Sequence, residues 1–237
     1  MKNFLRKLLN TLNLDLTKNL EYDRLTRQVI NRVVKNNSIC VDVGCHKGEI
    51  LDLILHNAPS GHFAFEPIPS YYDKLQKKYG EICTVLPYAL GEHEGVSEFQ
   101  FVKNAPAYSG IRKRKYNVET PEIEVLQVEL KKLDDVIPAS IKIDLIKIDV
   151  EGAEYQVMRG AQRIISRDKP VIIFECGIGA SDYYGTNPAE LFEFLNKLNF
   201  NISLLNSWLI DEPALTQQEF VNIYKKNKEY YFISYPA

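Results

Sequence analysis

The sequence predicts an α/β fold: a mostly parallel sheet with helices on both faces, preceded by a helical extension and interrupted by a β insertion. Three observations carry this. From residue 39 onward, short apolar runs alternate with helical stretches, the rhythm of strand–helix–strand units in a parallel sheet. Between about residues 95 and 130 that rhythm gives way to residue-by-residue alternation of polar and apolar side chains, as in antiparallel strands with one wet face. A length of 237 residues fits one ordinary domain, or one domain with an appended lid.

Residues 4–30 read as helical: Phe4, Leu5, Leu8, Leu9 and Leu12 form one apolar stripe, and Leu20, Leu25, Val29 and Ile30 a second segment. Residues 1–37 are therefore an N-terminal helical extension, and 38–237 the main domain. Ile39–Gly44 is the first strand, Glu49–Asn57 a helix and His62–Glu66 the second strand. A helix over Ser70–Tyr79 and a strand around Ile82–Leu90 follow. Val96–Val102 and Glu122–Leu130 form the insertion, joined by a loop over Lys103–Pro121. The parallel rhythm resumes with strand Ile143–Val150, helix Ala153–Ser166 and strand Pro170–Cys176. Helix Pro188–Leu198, strand Phe200–Asn206, a helix near Gln217–Lys226 and strand Tyr230–Tyr235 complete the chain.

Composition narrows the function. Hydrophobic residues are 45% and charged residues 25%, close to the globular average, which excludes disorder and coiled coil for the whole chain. The formal net charge is −2, without the basic excess of an indiscriminate nucleic-acid binder. No apolar run approaches the roughly 18 residues of a membrane span. The N-terminal stripe lacks a cleavage site for secretion. Packing on the domain is its simpler account; loose membrane attachment through its Lys/Arg flanks is the alternative. Four cysteines without a CxxC pair point to reduced thiols and a cytoplasmic protein.

The first strand runs into Asp42-Val43-Gly44-Cys45-His46-Lys47-Gly48, a D-x-G-x-x-x-G turn opening a helix. In open parallel sheets ligands bind beyond the carboxyl ends of the strands, where this turn lies. Gly44 permits close backbone approach and Gly48 eases entry into the helix. Eighteen residues after Gly48, the second strand ends in Glu66, placed to accept both hydroxyls of an adenosine ribose. A dinucleotide site calls for G-x-G-x-x-G around a pyrophosphate; here the spacing differs and Asp42 would repel phosphate. A carboxylate instead suits the amino group and sulfonium of S-adenosylmethionine (SAM). An NAD-linked oxidoreductase is accordingly disfavoured.

VDVGCHKG, FEPIPSYYDKL, YALGEHEG and DLIKIDVEGAEYQVMRGA together resemble the successive motifs of FkbM-type SAM-dependent methyltransferases, over about residues 39–177. The resemblance implies the class I methyltransferase (Rossmann-like) architecture, with a seven-stranded, mostly parallel sheet whose last strand is antiparallel. It places Asp42, Gly44, Cys45, His46 and Gly48 on the methionine-side loop, Glu66 and Pro67 at the ribose, and Ala89 and Leu90 at the adenine edge. It also implies transfer to oxygen, whereas the residues alone do not separate an oxygen acceptor from a nitrogen one. His46 is either a hydrogen-bonding wall or a base; Cys45 is more simply a packed thiol than a redox group.

Lys147 and Asp149 share one face of strand Ile143–Val150, and Asp149 lies at its carboxyl end, followed by Glu151, Gly152 and Glu154. In the expected strand order Glu175 ends about 5 Å away on the neighbouring strand. Two such carboxylates raise each other's proton affinity, pair with Lys147 or share a metal. Asp149, Glu175 and Lys147 are the candidate catalytic residues, with Asp149 the preferred base of raised pKa. Asp149 and Glu151 are also assigned to the cofactor. No metal is expected, because no third ligand is evident. Glu154 is taken simply to favour a helix N-terminus. After the strand, Asp149-Val150-Glu151-Gly152 lacks the Pro-Pro-aromatic turn of DNA adenine methyltransferases, which argues against base flipping.

The insertion loop carries Lys103, Arg112, Lys113, Arg114 and Lys115 and no acidic residue between Phe99 and Val118. It is either a solvated loop or a lid whose Tyr108, Ser109, Arg112 and Arg114 hold an anionic acceptor. The expected function is methylation of a hydroxyl on a sugar, glycan or small-molecule metabolite, with no nucleic-acid partner. A SAM-binding module without turnover is the alternative.

Overall fold

The computed structural model describes residues 17–116 and 118–237. The stripe at Phe4–Leu12 lies outside the described residues. The second apolar segment forms helix α1 (Lys18–Val33), whose Thr17 side chain caps the N–H of Leu20 and which buries Tyr22, Leu25, Val29 and Ile30. The succession of elements is then β1 (Cys40–Val43), α2 (Glu49–Asn57), β2 (His62–Phe65), α3 (Pro69–Tyr79), β3 (Cys83–Leu86) and β4 (Tyr88–Leu90). The insertion is β5 (Gly95–Val102) and β6 (Ile123–Lys131), and α4 (Leu133–Val136) leads back to β7 (Leu145–Ile148). Helices α5 (Glu154–Arg159) and α6 (Gln162–Asp168), strand β8 (Val171–Glu175), α7 (Pro188–Lys197), β9 (Phe200–Leu204), α8 (Leu205–Leu209), α9 (Gln217–Lys226) and β10 (Tyr231–Pro236) complete the chain.

Among the described residues the strands form a seven-stranded sheet in the order β3-β2-β1-β7-β8-β10-β9 and a three-stranded sheet β4-β6-β5. β1, β2, β3, β7 and β8 pair in parallel, while β10 runs antiparallel to both β8 and β9. The expected architecture, with its last strand reversed, is the observed one. β1, β2 and β7 are buried along their whole length, as strands covered on both faces must be. One apolar layer joins Val157, Ile164, Leu191, Leu195 and Phe220 of α5, α6, α7 and α9 to the sheet. The opposite layer packs Leu25, Val29 and Ile30 of α1 with Ile54 of α2 and Leu205 of α8. No helix among the described residues is long and apolar enough to cross a membrane.

Three expected elements are divided. The strand expected over Ile82–Leu90 breaks at Pro87, which has no N–H to donate; β3 stays in the main sheet and β4 pairs with β6 in the second. The helix expected over Ala153–Ser166 breaks after Arg159. There Gly160 lets the backbone of Gly91 come so close that a Cβ would collide with its carbonyl oxygen. The strand expected over Phe200–Asn206 ends at Leu204 and turns directly into α8.

Candidate active site

Strand order reverses direction at β1 and β7, where chain connections leave on opposite sides and a crevice opens at the carboxyl ends. The loop after β1 is fitted closely into this crevice. Gly44 has φ +79°, and a Cβ there would collide with the carbonyl oxygen of Asp149, so the loop can lie against the end of β7 only with glycine at this position. Gly44 and Cys45 both donate to the carbonyl of Phe65, at 3.0 Å each. Gly48, with φ +80°, caps α2 against the ring of Tyr79. His46 and Glu151 also hold left-handed backbone, at φ +51° and +60°, and they face the same crevice. Non-glycine residues seldom adopt this conformation, and those that do cluster at working sites.

Among the described residues two cavities open here. The first is a narrow slot of about 140 Å³, walled by Pro67, Ile68, Tyr88, Ala89, Leu90 and Phe99 and roofed by Pro106, Ser109 and Ile111 of the insertion. The second is a wide cleft of about 940 Å³ whose floor holds Lys147, Asp149 and Glu175. Gly44, His46, Ala107, Asp149 and Glu151 line both, so the slot and the cleft meet at Asp149.

Glu66 closes one end of the slot. Its Oε2 accepts from His46 N–H at 2.8 Å and its Oε1 from Ile68 N–H at 2.9 Å, which fixes the carboxylate in place. Burial pushes its pKa up to about 7, against the lowering effect of those two N–H groups. Asp42 lies beneath the loop, on no cavity wall. It is 1% exposed, its Oδ2 has no partner among the described residues, and burial raises its pKa to about 6 although Lys147 and the Cys45 thiol counteract it. Cys45 is a packed thiol, its ionisation suppressed by burial and by Asp42. The His46 ring meets Tyr71 edge-on at 4.7 Å and its pKa is lowered by burial; its Nε2 is buried without a partner among the described residues.

At the junction the carboxylates separate in character. Lys147 Nζ donates to Asp149 Oδ2 at 2.8 Å, and the Tyr231 hydroxyl donates to the same oxygen at 2.5 Å. Burial opposes the charge of Asp149, but Lys147, Tyr231 and Arg114 hold its pKa below the usual carboxylate value. The raised proton affinity expected of Asp149 falls instead on Glu175, which burial, Asp149 and Glu154 push up to about 8. Lys147 owes its position to strand alternation: its register partner on β1 is Asp42, and it is 3% exposed. Glu154 does more than favour a helix start. Its Oε1 accepts the N–H groups of Val150 and Gly152 at 3.0 and 3.1 Å, tying down the loop that presents Asp149 and Glu151.

Glu151 supplies the third carboxylate that the sequence did not place: donor oxygens of Asp149, Glu151 and Glu175 lie within 4.8 Å of one another. A third potential ligand thus stands beside Asp149 and Glu175, contrary to the expectation that none is near. Their countercharge comes from the protein itself, since Lys147 pairs with Asp149 and Arg114 with Glu151.

The lid residues part company. Tyr108 and Arg114 line the cleft, the guanidinium 5.3 Å from the Tyr108 ring centroid and donating to Gly179 O at 3.0 Å. Ser109 lines the slot and its Oγ accepts from Val102 N–H at 3.0 Å. Arg112 lines neither cavity; it donates to Tyr183 O at 3.0 Å and its N–H to the Tyr184 hydroxyl at 2.9 Å, tying the insertion to the segment after β8. Sequence reasoning missed Tyr22, Tyr230 and Tyr231, which wall the cleft. The signal for Tyr231 was present in the expected strand order, because an antiparallel last strand beside β8 begins where β8 ends, and Tyr231 pairs with Glu175.

The family model for the methyltransferase FkbM domain matches residues 42–202, the span that builds both cavities' floor and most of their walls. The chain belongs to the FkbM methyltransferase family. The chain is 24% identical over 161 residues to the 2-O-methyltransferase NoeI of Sinorhizobium fredii (strain NBRC 101917 / NGR234), covering 62% of this chain and 66% of that protein. The crystal structure of methyltransferase FkbM from Methylobacillus flagellatus KT superposes with a TM-score of 0.52 at 15% identity. That match covers 99% of this chain and 59% of the other, and shows a shared fold. This FkbM-family chain thus spans about two thirds or less of the length of these relatives.

Proposed function

We propose that this FkbM-family chain is a SAM-dependent O-methyltransferase acting on a hydroxyl of a sugar, glycan or small-molecule metabolite. The observation that carries the reading is a narrow apolar slot and a wide polar cleft meeting at Asp149, beside which the cleft floor holds Glu175, a carboxylate shifted the opposite way. Adenosine suits the slot: a flat base between apolar side chains at Ala89 and Leu90, with ribose hydroxyls toward the fixed carboxylate of Glu66. A cation suits the junction. Asp42, Glu66 and Glu175 are all pushed up by burial, and a positive ligand would draw each back toward its ordinary ionisation. A pyrophosphate would add negative charge to the same place, which disfavours NAD.

SAM supplies an electrophilic methyl group on a cationic sulfur. The protein's part is to hold the acceptor oxygen in line with that methyl and to take its proton. Two carboxylates whose environments push their pKa values apart divide into roles. Asp149, kept ionised, holds the cofactor's amino group. Glu175, with a pKa pushed up to about 8, would accept the hydroxyl proton when the acceptor oxygen takes the methyl group and the carbon–sulfur electron pair stays with sulfur. Lys147 keeps Asp149 charged. Transfer to oxygen is supported by the resemblance to NoeI, which is named a 2-O-methyltransferase.

The test is direct: incubate the protein with SAM and a panel of mono- and oligosaccharides and small hydroxylated metabolites. Formation of S-adenosylhomocysteine together with a methyl ether located by mass spectrometry is expected. SAM binding without product across the panel would favour a binding module, and methylation at nitrogen would overturn the assignment to oxygen.

A further inference from the structure

We propose that Tyr231, braced by Tyr22 of the N-terminal helix, is a positioning residue that fixes the Asp149 carboxylate for its ligand; this rests on the assignment of Asp149 to the cofactor. The last strand and the first described helix lie far apart in sequence, yet Tyr231 of the strand reaches this one oxygen and Tyr22 of the helix packs on Tyr231. The phenol of Tyr231 donates to Asp149 Oδ2, the oxygen that also takes Lys147. Both donors on Oδ2 leave Oδ1 with no protein donor among the described residues, open to a bound cation. Tyr231 holds its proton strongly because burial and the nearby carboxylates oppose its ionisation, so it stays a donor throughout the physiological range.

The orientation of that phenol is set from α1. The ring of Tyr22 stacks on Tyr231 at 4.8 Å and 24°, and meets Tyr230 edge-on at 4.9 Å. Tyr22 is itself pinned: its hydroxyl donates to Glu229 Oε2 at 2.7 Å and accepts from Tyr230 N–H at 3.2 Å, and Lys18 Nζ reaches Glu229 Oε1 at 2.5 Å. A line of contacts therefore runs Lys18–Glu229–Tyr22–Tyr231–Asp149, with Lys147 Nζ 5.4 Å from the Tyr231 ring centroid. The N-terminal helix is part of the site's construction as well as of its wall.

The experiment compares SAM affinity as a function of pH for the wild type and for Tyr231→Phe, Tyr22→Phe and Tyr22→Leu. The other charged and titratable groups facing Asp149 are Asp42 on β1, His46 on the loop after it, Lys147 on β7, Arg114 on the insertion, Glu151 and Glu154 after β7, and Glu175 on β8. All are unchanged in these variants. Tyr231→Phe keeps the ring and the packing and removes one donor, so SAM binding at neutral pH should weaken roughly tenfold, as loss of a hydrogen bond to a charged group does. Asp149 would then protonate more readily, and the acid limb of the binding profile should move to higher pH. Tyr22→Leu should shift the profile the same way by a smaller factor, whereas Tyr22→Phe, which keeps the stack, should lie between it and the wild type. Circular dichroism and melting curves establish that each variant folds.

Wild-type affinity and an unmoved acid limb in folded Tyr231→Phe would overturn the proposal and leave Tyr231 a packing residue. Failure of the wild type to bind SAM would overturn it together with the cofactor assignment. SAM binding without transfer to any hydroxyl would overturn the acceptor assignment alone, and the Tyr231→Phe profile would still decide this proposal.

Discussion

The slot and the cleft meet at Asp149 but are held in different ways. In the slot, Glu66 and Ser109 are satisfied by backbone, Glu66 by two N–H groups and Ser109 by the N–H of Val102. In the cleft they satisfy one another, through Lys147–Asp149–Tyr231 and Arg114–Glu151. Backbone partners are fixed by the fold, so the slot is organised before any ligand arrives. Tyr22 braces the first of these, but the Arg114–Glu151 pair can exchange partners with a ligand, so that wall of the cleft can adapt. That is the division expected between one invariant cofactor and an acceptor to be recognised by shape and hydrogen bonding.

The largest expected effect breaks or confirms the division of labour on the cleft floor. Glu175→Gln keeps the shape and removes the proton acceptor, so kcat should fall by roughly 10²-fold or more while SAM affinity changes little. Single-turnover kinetics and calorimetry measure the two quantities separately. A variant with unchanged kcat would return the proton-acceptor role to Asp149 or to solvent.

Next in size is the slot. Glu66→Ala removes an acceptor for the ribose hydroxyls and also frees the N–H groups of His46 and Ile68, so SAM binding should weaken by roughly 2–3 kcal/mol. The acceptor KM measured at saturating SAM should hardly move. An equal loss on both ligands would mean that slot and cleft are one site rather than two.

Most of this scaffold was legible in the sequence because its signals are local. Apolar runs, turn glycines and the D-x-G-x-x-x-G loop each depend on residues within a few positions of one another, and α2 and α9 begin and end where their patterns do. The departures have non-local causes. Gly160 breaks a helix because Gly91, far away in sequence, lies against it. Tyr22 and Tyr231 meet only once the sheet has assembled. Glu151 joins Asp149 and Glu175 through a left-handed backbone at φ +60° that strand alternation does not anticipate. The split between Asp149 and Glu175 was hidden for the same reason: it depends on which carboxylate receives Lys147 and, after it, Tyr231.

The ionisation of the junction gives a third expectation, in stability. Glu66 and Glu175 have folded pKa values of about 7 and about 8, above the roughly 4.3 of an exposed glutamate. Between those limits the folded protein holds protons that the unfolded chain has released, so the stability these groups contribute at low pH is lost as pH rises through 7 and 8. Asp149, shifted down, has the opposite sign and matters only in acid, as pH falls through its lowered value. The melting temperature without ligand should therefore decline by several degrees from about pH 5 to about pH 8 and level off above it. A cation bound at the junction favours the ionised carboxylates, so stabilisation by SAM should grow over the same range. A SAM-induced shift independent of pH would mean that these carboxylates do not face the cofactor's charge.

The smallest effect separates two arginines that the sequence could not tell apart. Arg112 and Arg114 stand two residues apart in one basic run, but Arg112 is tied to Tyr183 and Tyr184 outside both cavities, while Arg114 lines the cleft with its side chain 11% exposed. If the cleft adapts by exchanging side-chain partners, Arg114 can turn part of its charge from Glu151 to an acceptor oxygen. Arg114→Gln should then raise acceptor KM by roughly three- to tenfold, the scale of one hydrogen bond to a charged group partly replaced by a neutral one. Arg112→Gln should change KM less than about twofold, as surface substitutions usually do. Because Arg114 is shielded from solvent, its effect should persist at high ionic strength, where contributions from the exposed lysines of the same loop are screened away. If both arginines act equally and both effects vanish with salt, the basic run is steering the acceptor from a distance, and the contrast between fixed slot and adaptable cleft would have to be redrawn without Arg114.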